Sequence, residues 1–136
     1  MSAPTRLALN QVSLASDRVK STVSSRYDLV DHQSRVVRYL RVSLTDRCTY
    51  RCTYCMPAEG VDVFPRSSLL SFEEIERVVR VFVAMGVTHI RLTGGEPLAR
   101  KGVVKLIESL ANIDGVLDLA MTTNGHLLKN QAEALR

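Results

Sequence analysis

Residues 36–55 read VVRYLRVSLTDRCTYRCTYC, a short apolar run followed at once by three cysteines. Within the run, two sets of positions alternate, Tyr39, Arg41 and Ser43 against Leu40, Val42 and Leu44. A period of two in a β-branched run predicts a strand with one apolar face. The cysteines are therefore expected on the loop that directly follows this strand.

Beyond the cysteines, the pattern changes to that of a helix and then back to that of a strand. Ser71 and Glu74 form a capping-box signature, and apolar side chains at positions 75, 78, 79, 82 and 83 fall on one helical stripe. Gly86 is a typical helix stop. VTHIRLT at residues 87–93 predicts a second strand, and GGEP at residues 94–97 forms the loop after it.

The alternation continues to the last residue of the sequence. A second helix is predicted after GGEP, with an apolar face of Val103, Val104, Ile107, Leu110 and Ala111. LDLAMTT at residues 117–123 predicts a third strand, and the start of a third helix is predicted from about Leu128 to Arg136. Strands that alternate with helices are typical of a parallel α/β sheet or barrel, so the predicted fold class is α/β.

Two parts of the chain differ in pattern. Residues 1–35 show no sustained period and are predicted to form a flexible N-terminal arm, which leaves residues 36–136 as the folded unit. Three parallel strands with helices on one side leave one sheet edge and one concave face uncovered. We therefore expect half of a domain, whose open edge could also serve a homodimer.

Composition excludes several classes of protein. The chain has 136 residues, 46% of them hydrophobic and 24% charged, which is ordinary for a globular domain. Its net charge of +4 is too small to favour nucleic-acid binding, and no apolar run is long enough to span a membrane. Three clustered cysteines do not suit a secreted disulfide framework. The predicted location is the cytoplasm, or the mitochondrial matrix if the N-terminal arm is a transit peptide.

The spacing of Cys48, Cys52 and Cys55 is the strongest chemical signal in the sequence. Thiolates are the usual ligands of iron–sulfur clusters, and three thiolates on a four-iron cluster leave one iron open for chemistry. A structural zinc site with His32, His89 or His126 as fourth ligand is the first alternative. Burial of the cysteines as small apolar side chains is the second, but polar neighbours surround them, namely Thr49, Arg51 and Thr53.

Two motifs together resemble a known family. Cys-x-x-x-Cys-x-Tyr-Cys after the first strand, with Gly94-Gly95-Glu96-Pro97 after the second, resembles the radical S-adenosylmethionine (SAM) superfamily. Alone, GGEP would be a tight strand-to-helix turn. Within the superfamily, LRVSLTDRCTYRCTYCMPAEG, RLTGGEPLARKG and MTTNGHLL resemble the GTP 3′,8-cyclases of molybdenum cofactor biosynthesis, from about Leu29 to Arg136. Thr49 departs from the asparagine usual there, at a position that is not a ligand.

The resemblance implies both a fold and a reaction. The fold would be a TIM-type (βα)6 radical SAM barrel, of which residues 36–136 form the N-terminal half, with the first three βα units. The reaction would convert GTP to (8S)-3′,8-cyclo-7,8-dihydroguanosine 5′-triphosphate, the first step of molybdopterin biosynthesis. In it, a reduced 4Fe-4S cluster cleaves SAM to a 5′-deoxyadenosyl radical. A reductant of the flavodoxin or ferredoxin type would supply the electron.

The resemblance also implies roles for individual residues. Cys48, Cys52 and Cys55 would ligate the cluster. Tyr54 would pack near the adenine of SAM, Gly94 and Gly95 would let the backbone approach its methionine end, and Glu96 would lie next to its amino group. GTP would be bound by Arg41, Arg91 and Thr122. Without the resemblance, the two arginines could equally point to solvent or pair with a helix carboxylate.

The resembled family is more than twice as long as this sequence. Its second cysteine triad, which binds another cluster, and its later barrel strands are not in the 136 residues. We therefore expect this chain to be an N-terminal portion that is inactive alone. Two alternatives stay open, a radical SAM enzyme with another substrate and a non-enzymatic cysteine-rich module that binds zinc or an electron-transfer cluster.

Overall fold

Three parallel strands form a single sheet in the computed structural model, which describes residues 28–136. The strands are β1 (Tyr39–Ser43), β2 (His89–Thr93) and β3 (Asp118–Met121), hydrogen-bonded in the order β1-β2-β3. All three lie within the predicted segments, and the parallel pairing confirms the α/β fold class. Of the predicted flexible arm, residues 1–27 lie outside the described part of the chain.

The first crossover helix, α1 (Phe72–Ala84), begins at the predicted capping box. The amide of Glu74 donates to the Ser71 hydroxyl at 3.1 Å, and the amide of Ser71 donates to the Glu74 carboxylate at 2.7 Å. These two bonds satisfy two amides that would otherwise lack a partner at the helix start. The chain turns away after Met85 at Gly86, whose φ of 91° suits glycine.

The second crossover helix, α2 (Val103–Ala111), differs from its predicted apolar face at two positions. Its buried residues are Val103, Leu106 and Leu110, whereas Ala111 is exposed. Leu106 is three positions after Val103 and four before Leu110, so it belongs to the same stripe. Ala111 is the last residue of α2, and its side chain is exposed and does not pack on the sheet.

The prediction of a third helix from Leu128 to Arg136 is wrong. A single 3₁₀ turn forms at Leu128–Asn130, and turns follow it. No side chain caps the start of this turn, so the first amides of a helix here would lack the partner that a cap supplies. Instead, Gln131 packs back and its side-chain amide donates to the Leu98 carbonyl at 3.1 Å.

The core lies between the sheet and the two helices. Its fully buried members come from all of these elements and include Leu44, Ile75, Val79, Ile90, Leu92, Leu106 and Leu110. Ile90 and Leu92 occupy alternate positions of β2, both with no exposed surface, so the residues between them face the opposite side of the sheet. That opposite face carries Arg91 and its register partner Arg41.

The described end of the predicted arm is attached to the folded unit. The amide of Leu29 donates to the Met85 carbonyl at 2.9 Å, and the amide of Val37 donates to the Leu29 carbonyl at 2.8 Å. Arg38 forms an ion pair with Asp28 at 2.7 Å. Among residues 28–136, no helix is both long and apolar enough to cross a membrane.

We expect Ser71→Ala to lower the free energy of unfolding by about 1 kcal/mol, because it removes the hydroxyl that caps α1. Urea denaturation followed by circular dichroism measures this difference. Ser67→Ala is the matched control, since Ser67 is exposed and lies outside α1. Equal stability of the Ser71 and Ser67 variants would contradict the capping role.

Candidate functional site

Three loops meet where the strands end, because the carboxyl ends of parallel strands lie at the same end of a sheet. The loop after β1 carries the three cysteines, the loop after β2 is GGEP, and the loop after β3 begins at Thr122. Residues of each loop bond residues of the other two. This end of the sheet is therefore where the sequence-predicted ligands can act together.

The two glycines of GGEP allow the β2 loop to pack against the β1 loop. The amide of Gly95 donates to the Thr45 carbonyl at 2.7 Å, and the amide of Glu96 donates to the Arg47 carbonyl at 2.8 Å. A Cβ atom at Gly94 would collide with the Thr45 backbone, and one at Gly95 with the Arg47 carbonyl. Close backbone approach thus requires both glycines here, and their predicted contact with SAM stays a prediction.

Glu96 joins the β2 loop to the β3 loop through a carboxylate with no exposed surface. Oε1 accepts from the Leu98 amide at 3.0 Å and from the Thr123 hydroxyl at 2.7 Å. Oε2 accepts from the Asn124 amide at 2.8 Å. A buried carboxylate needs such donors, and here they come from both loops. The predicted proximity of Glu96 to the amino group of SAM stays a prediction.

Asn124 connects this carboxylate to the cysteine loop. Its side-chain amide donates to the Thr49 hydroxyl at 3.0 Å and points at the sulfur of Cys48, with Nδ2 and Sγ 3.8 Å apart. Its Oδ1 accepts from the His126 amide at 3.0 Å. Sequence reasoning did not single out Asn124, although an asparagine directly before a glycine, as in Asn124-Gly125, is a turn signal.

The cysteine loop carries three free thiols, of which Cys48 and Cys52 are half-buried and Cys55 is exposed. The amides of Cys55 and Met56 both donate to the Cys52 carbonyl at 2.9 Å, which forms a tight turn. The amide of Tyr50 donates to the sulfur of Cys48 at 3.4 Å. Together with the Asn124 amide, this gives that sulfur two N–H donors, which fix its position in the loop.

The described residues hold no group of three His, Cys, Asp or Glu side chains close enough to bind a metal ion. The donor set fits an iron–sulfur cluster by its chemistry, since three thiols occur in one short loop. Binding a cluster then requires the loop to bring the three sulfurs together. The same finding applies to the zinc alternative, because none of the three histidines completes such a group within residues 28–136.

The two predicted substrate arginines lie side by side. Arg41 and Arg91 are register partners on β1 and β2, so their side chains leave the same face of the sheet. The Nε of Arg91 is buried and has no hydrogen-bond partner among the described residues, and its guanidinium lies 5.9 Å from the centroid of the Tyr39 ring. In residues 28–136, neither arginine forms an ion pair with a helix carboxylate.

The remaining two predicted site residues lie at the same end of the sheet. Thr122 follows β3 directly, with its amide donating to the Leu92 carbonyl at 3.0 Å and its side chain exposed. Tyr54 lies between the second and third cysteines and is 92% exposed. Both positions leave the side chain free to meet a ligand, and their assigned ligands stay predictions.

Comparison with known proteins adds to this geometry. The family model of the radical SAM superfamily matches residues 42–136. A protein of Thermodesulfovibrio yellowstonii named GTP 3′,8-cyclase is 53% identical over 106 residues, and one of Geobacter sulfurreducens with the same name is 50% identical over 109 residues. The Pseudomonas aeruginosa GTP 3′,8-cyclase 1 is 54% identical over 108 residues.

These alignments cover 77%, 80% and 79% of this chain but only 33%, 33% and 32% of the three relatives. The chain thus spans about a third of the length of the curated relatives it matches.

We expect Glu96→Gln to lower the free energy of unfolding by about 2 kcal/mol. The amide nitrogen that replaces one carboxylate oxygen must face a donor, either the Asn124 amide or the pair from Leu98 and Thr123. Urea denaturation measures the loss, with Glu108→Gln on the exposed side of α2 as the matched control. Equal stability of the two variants would show that the Glu96 carboxylate does not hold the loops together.

Proposed function

This chain belongs to the radical SAM superfamily, and from that membership we propose that it is the cluster-bearing N-terminal portion of a GTP 3′,8-cyclase. The three relatives described above are named for that activity. The observation that carries the proposal is the joining of the cysteine loop, the GGEP loop and the β3 loop around Glu96, on a sheet whose first two strands carry Arg41 and Arg91 on one face. A cyclase of GTP needs a cluster site and an anion site close together.

Cys48, Cys52 and Cys55 would hold the 4Fe-4S cluster. When bound with SAM, the cluster supplies the electron that cleaves a carbon–sulfur bond of SAM. The chain would orient the Cys48 ligand through the N–H groups of Tyr50 and Asn124, which point at its sulfur. Three protein thiolates leave one iron without a protein ligand, which is where SAM would bind.

For SAM itself, we propose Tyr54, Gly94, Gly95 and Glu96 as contacts. The glycines hold the β2 loop against the cysteine loop, so any ligand of the open iron lies near their backbone. Glu96 fixes the β3 loop in the same place. Tyr54 brings an exposed aromatic ring between two cluster ligands, where it could stack on a purine.

Arg41 and Arg91 would bind the anionic part of GTP, with Thr122 as a hydroxyl partner at the end of β3. Arg41 and Arg91 are register partners on one face of the sheet, so an anion bound there would meet two positively charged side chains. The buried Nε of Arg91 lacks a partner among the described residues, and a planar guanidinium fork suits phosphate oxygens. A nucleoside triphosphate supplies both the charge and the acceptors.

The proposal for the whole protein extends beyond this chain. The three strands and two crossover helices would belong to the first half of a (βα)6 barrel, and the relatives, about three times as long, would have counterparts of its other strands and of the second cysteine triad. The chain alone would then be inactive. A flavodoxin- or ferredoxin-type carrier would reduce the cluster, the open sheet edge would serve a homodimer, and the protein would work in the cytoplasm. The transit-peptide alternative concerns residues outside the described part.

We expect Cys52→Ser to abolish cluster binding, because three thiolates leave no spare ligand. The measurement is iron and acid-labile sulfide per chain after anaerobic reconstitution. Thr53→Ser is the matched control on the same loop and should take up as much iron as the unchanged chain. Unaltered iron and sulfide in Cys52→Ser would refute the ligand assignment, and zinc without sulfide in the unchanged chain would favour a zinc module.

We expect Arg91→Ala to weaken GTP binding to the folded chain about tenfold, since it removes a charged donor to phosphate. Arg91→Lys should weaken GTP binding less than Arg91→Ala does, because lysine keeps the positive charge but lacks the planar guanidinium fork. Equilibrium dialysis with radiolabelled GTP measures the affinity, with Arg77→Ala on the exposed side of α1 as control. Affinity that depends equally on Arg77 and Arg91 would remove Arg91 from the substrate site.

A further inference from the structure

Two neighbouring cavities open beside the cysteine loop and share Arg47 as a wall. Cations line both cavities, and we call them the basic surface: Arg47, Arg51, Arg66, Arg100 and Lys101. Cys48 lines the second cavity directly. Asp46 is the single carboxylate among the lining residues, and its Oδ2 accepts from the Phe64 amide at 2.5 Å. The lining of these two cavities is therefore positive, with five cations against one carboxylate.

The structure does not neutralise these charges within the described residues. The ion pairs of residues 28–136 involve Arg35, Arg38 and Arg80, and none involves the basic surface. Arg100 instead donates to the backbone carbonyls of Leu44 and Leu70. Burial, and then the nearby positive charge of Arg66, lowers the pKa of the Arg100 guanidinium, so these two cations of the surface repel each other.

Apolar side chains lie exposed among these cations. Phe64 is 64% exposed, and Val61, Val63 and Leu70 are each about half exposed. Val61 and Val63 line the cavity of Cys48, and Phe64 lines the other. An apolar patch with a charged rim is typical of a surface that binds another protein. The cations also spread over two cavities, which is wider than one phosphate ion needs.

We propose that the basic surface docks a negatively charged protein that carries one electron to the cluster. This inference rests on the proposed function, because it assumes that the neighbouring cysteines hold the cluster. In the transfer, the carrier loses one electron and the cluster gains one, with no bond formed or broken. Opposite charges speed the encounter and orient the carrier over the cysteine loop. The occupant is thus an acidic redox protein with an exposed or shallow redox group.

The first test measures binding and needs no cluster. Isothermal titration of an oxidised flavodoxin of net negative charge into the folded chain gives the dissociation constant at low and at physiological salt. The test variant is the double substitution R66E/K101E, at two exposed residues of the basic surface. The matched control is R77E/K105E, which makes the same change in net charge at exposed positions of α1 and α2, outside both cavities.

We expect R66E/K101E to weaken flavodoxin binding about tenfold at low salt, and R77E/K105E to change it about twofold or less. Binding to the unchanged chain should weaken as salt rises. Three results would overturn the proposal: no binding of flavodoxin to the folded chain, equal weakening by both double variants, or saturable binding of inorganic phosphate that the test variant abolishes while flavodoxin binding persists. The third result would show that the basic surface binds small anions and not a protein.

A second test separates docking from the proposed function. Stopped-flow absorbance follows reduction of the reconstituted cluster by reduced flavodoxin and, separately, by dithionite, which needs no docking surface. R66E/K101E should slow only the flavodoxin reaction, by about tenfold. A chain that is reduced by dithionite but neither binds nor accepts electrons from flavodoxin would keep the proposed function and refute the docking surface. A chain that takes up no cluster yet binds flavodoxin through these residues would keep the docking surface and refute the proposed function.

Discussion

The hydrogen bonds of the buried Glu96 carboxylate determine how the three loops at the carboxyl ends of the strands are arranged. This side chain has no exposed surface and accepts from Leu98 in its own loop and from Thr123 and Asn124 in the next. A carboxylate is costly to bury, so it persists inside only where several donors face it. Because the donors come from two loops, the need to satisfy one group holds both loops in place.

The cysteine loop depends on the same arrangement indirectly, through Asn124. Asn124, whose backbone binds Glu96, extends its side chain to Thr49 and toward the sulfur of Cys48. From the other side, Gly95 allows the backbone of the β2 loop to touch that of the β1 loop. The first cysteine is thereby held by contacts to the loop after β3, while the third remains exposed.

The strands and α1 could be predicted because their signals are local. A period of two marks β1, and the Ser71 and Glu74 capping box operates across three residues. Glu96 could be named from its motif, but its partners Thr123 and Asn124 follow 27 and 28 residues later, so no local pattern reveals the contact. The same is true of Asn124 and Cys48, 76 residues apart. The segment after Leu128 gave a wrong prediction for a different reason. Its composition is compatible with a helix, but no side chain caps the start of one.

We propose above all that the three cysteines hold a four-iron cluster with one iron open to SAM. Electron paramagnetic resonance of the anaerobically reconstituted and reduced chain, with and without SAM, tests this most directly, once circular dichroism has shown that the chain is folded. We expect a four-iron cluster signal that changes when SAM is added, because SAM then binds the open iron. A folded chain whose cluster signal is the same with and without SAM would contradict it.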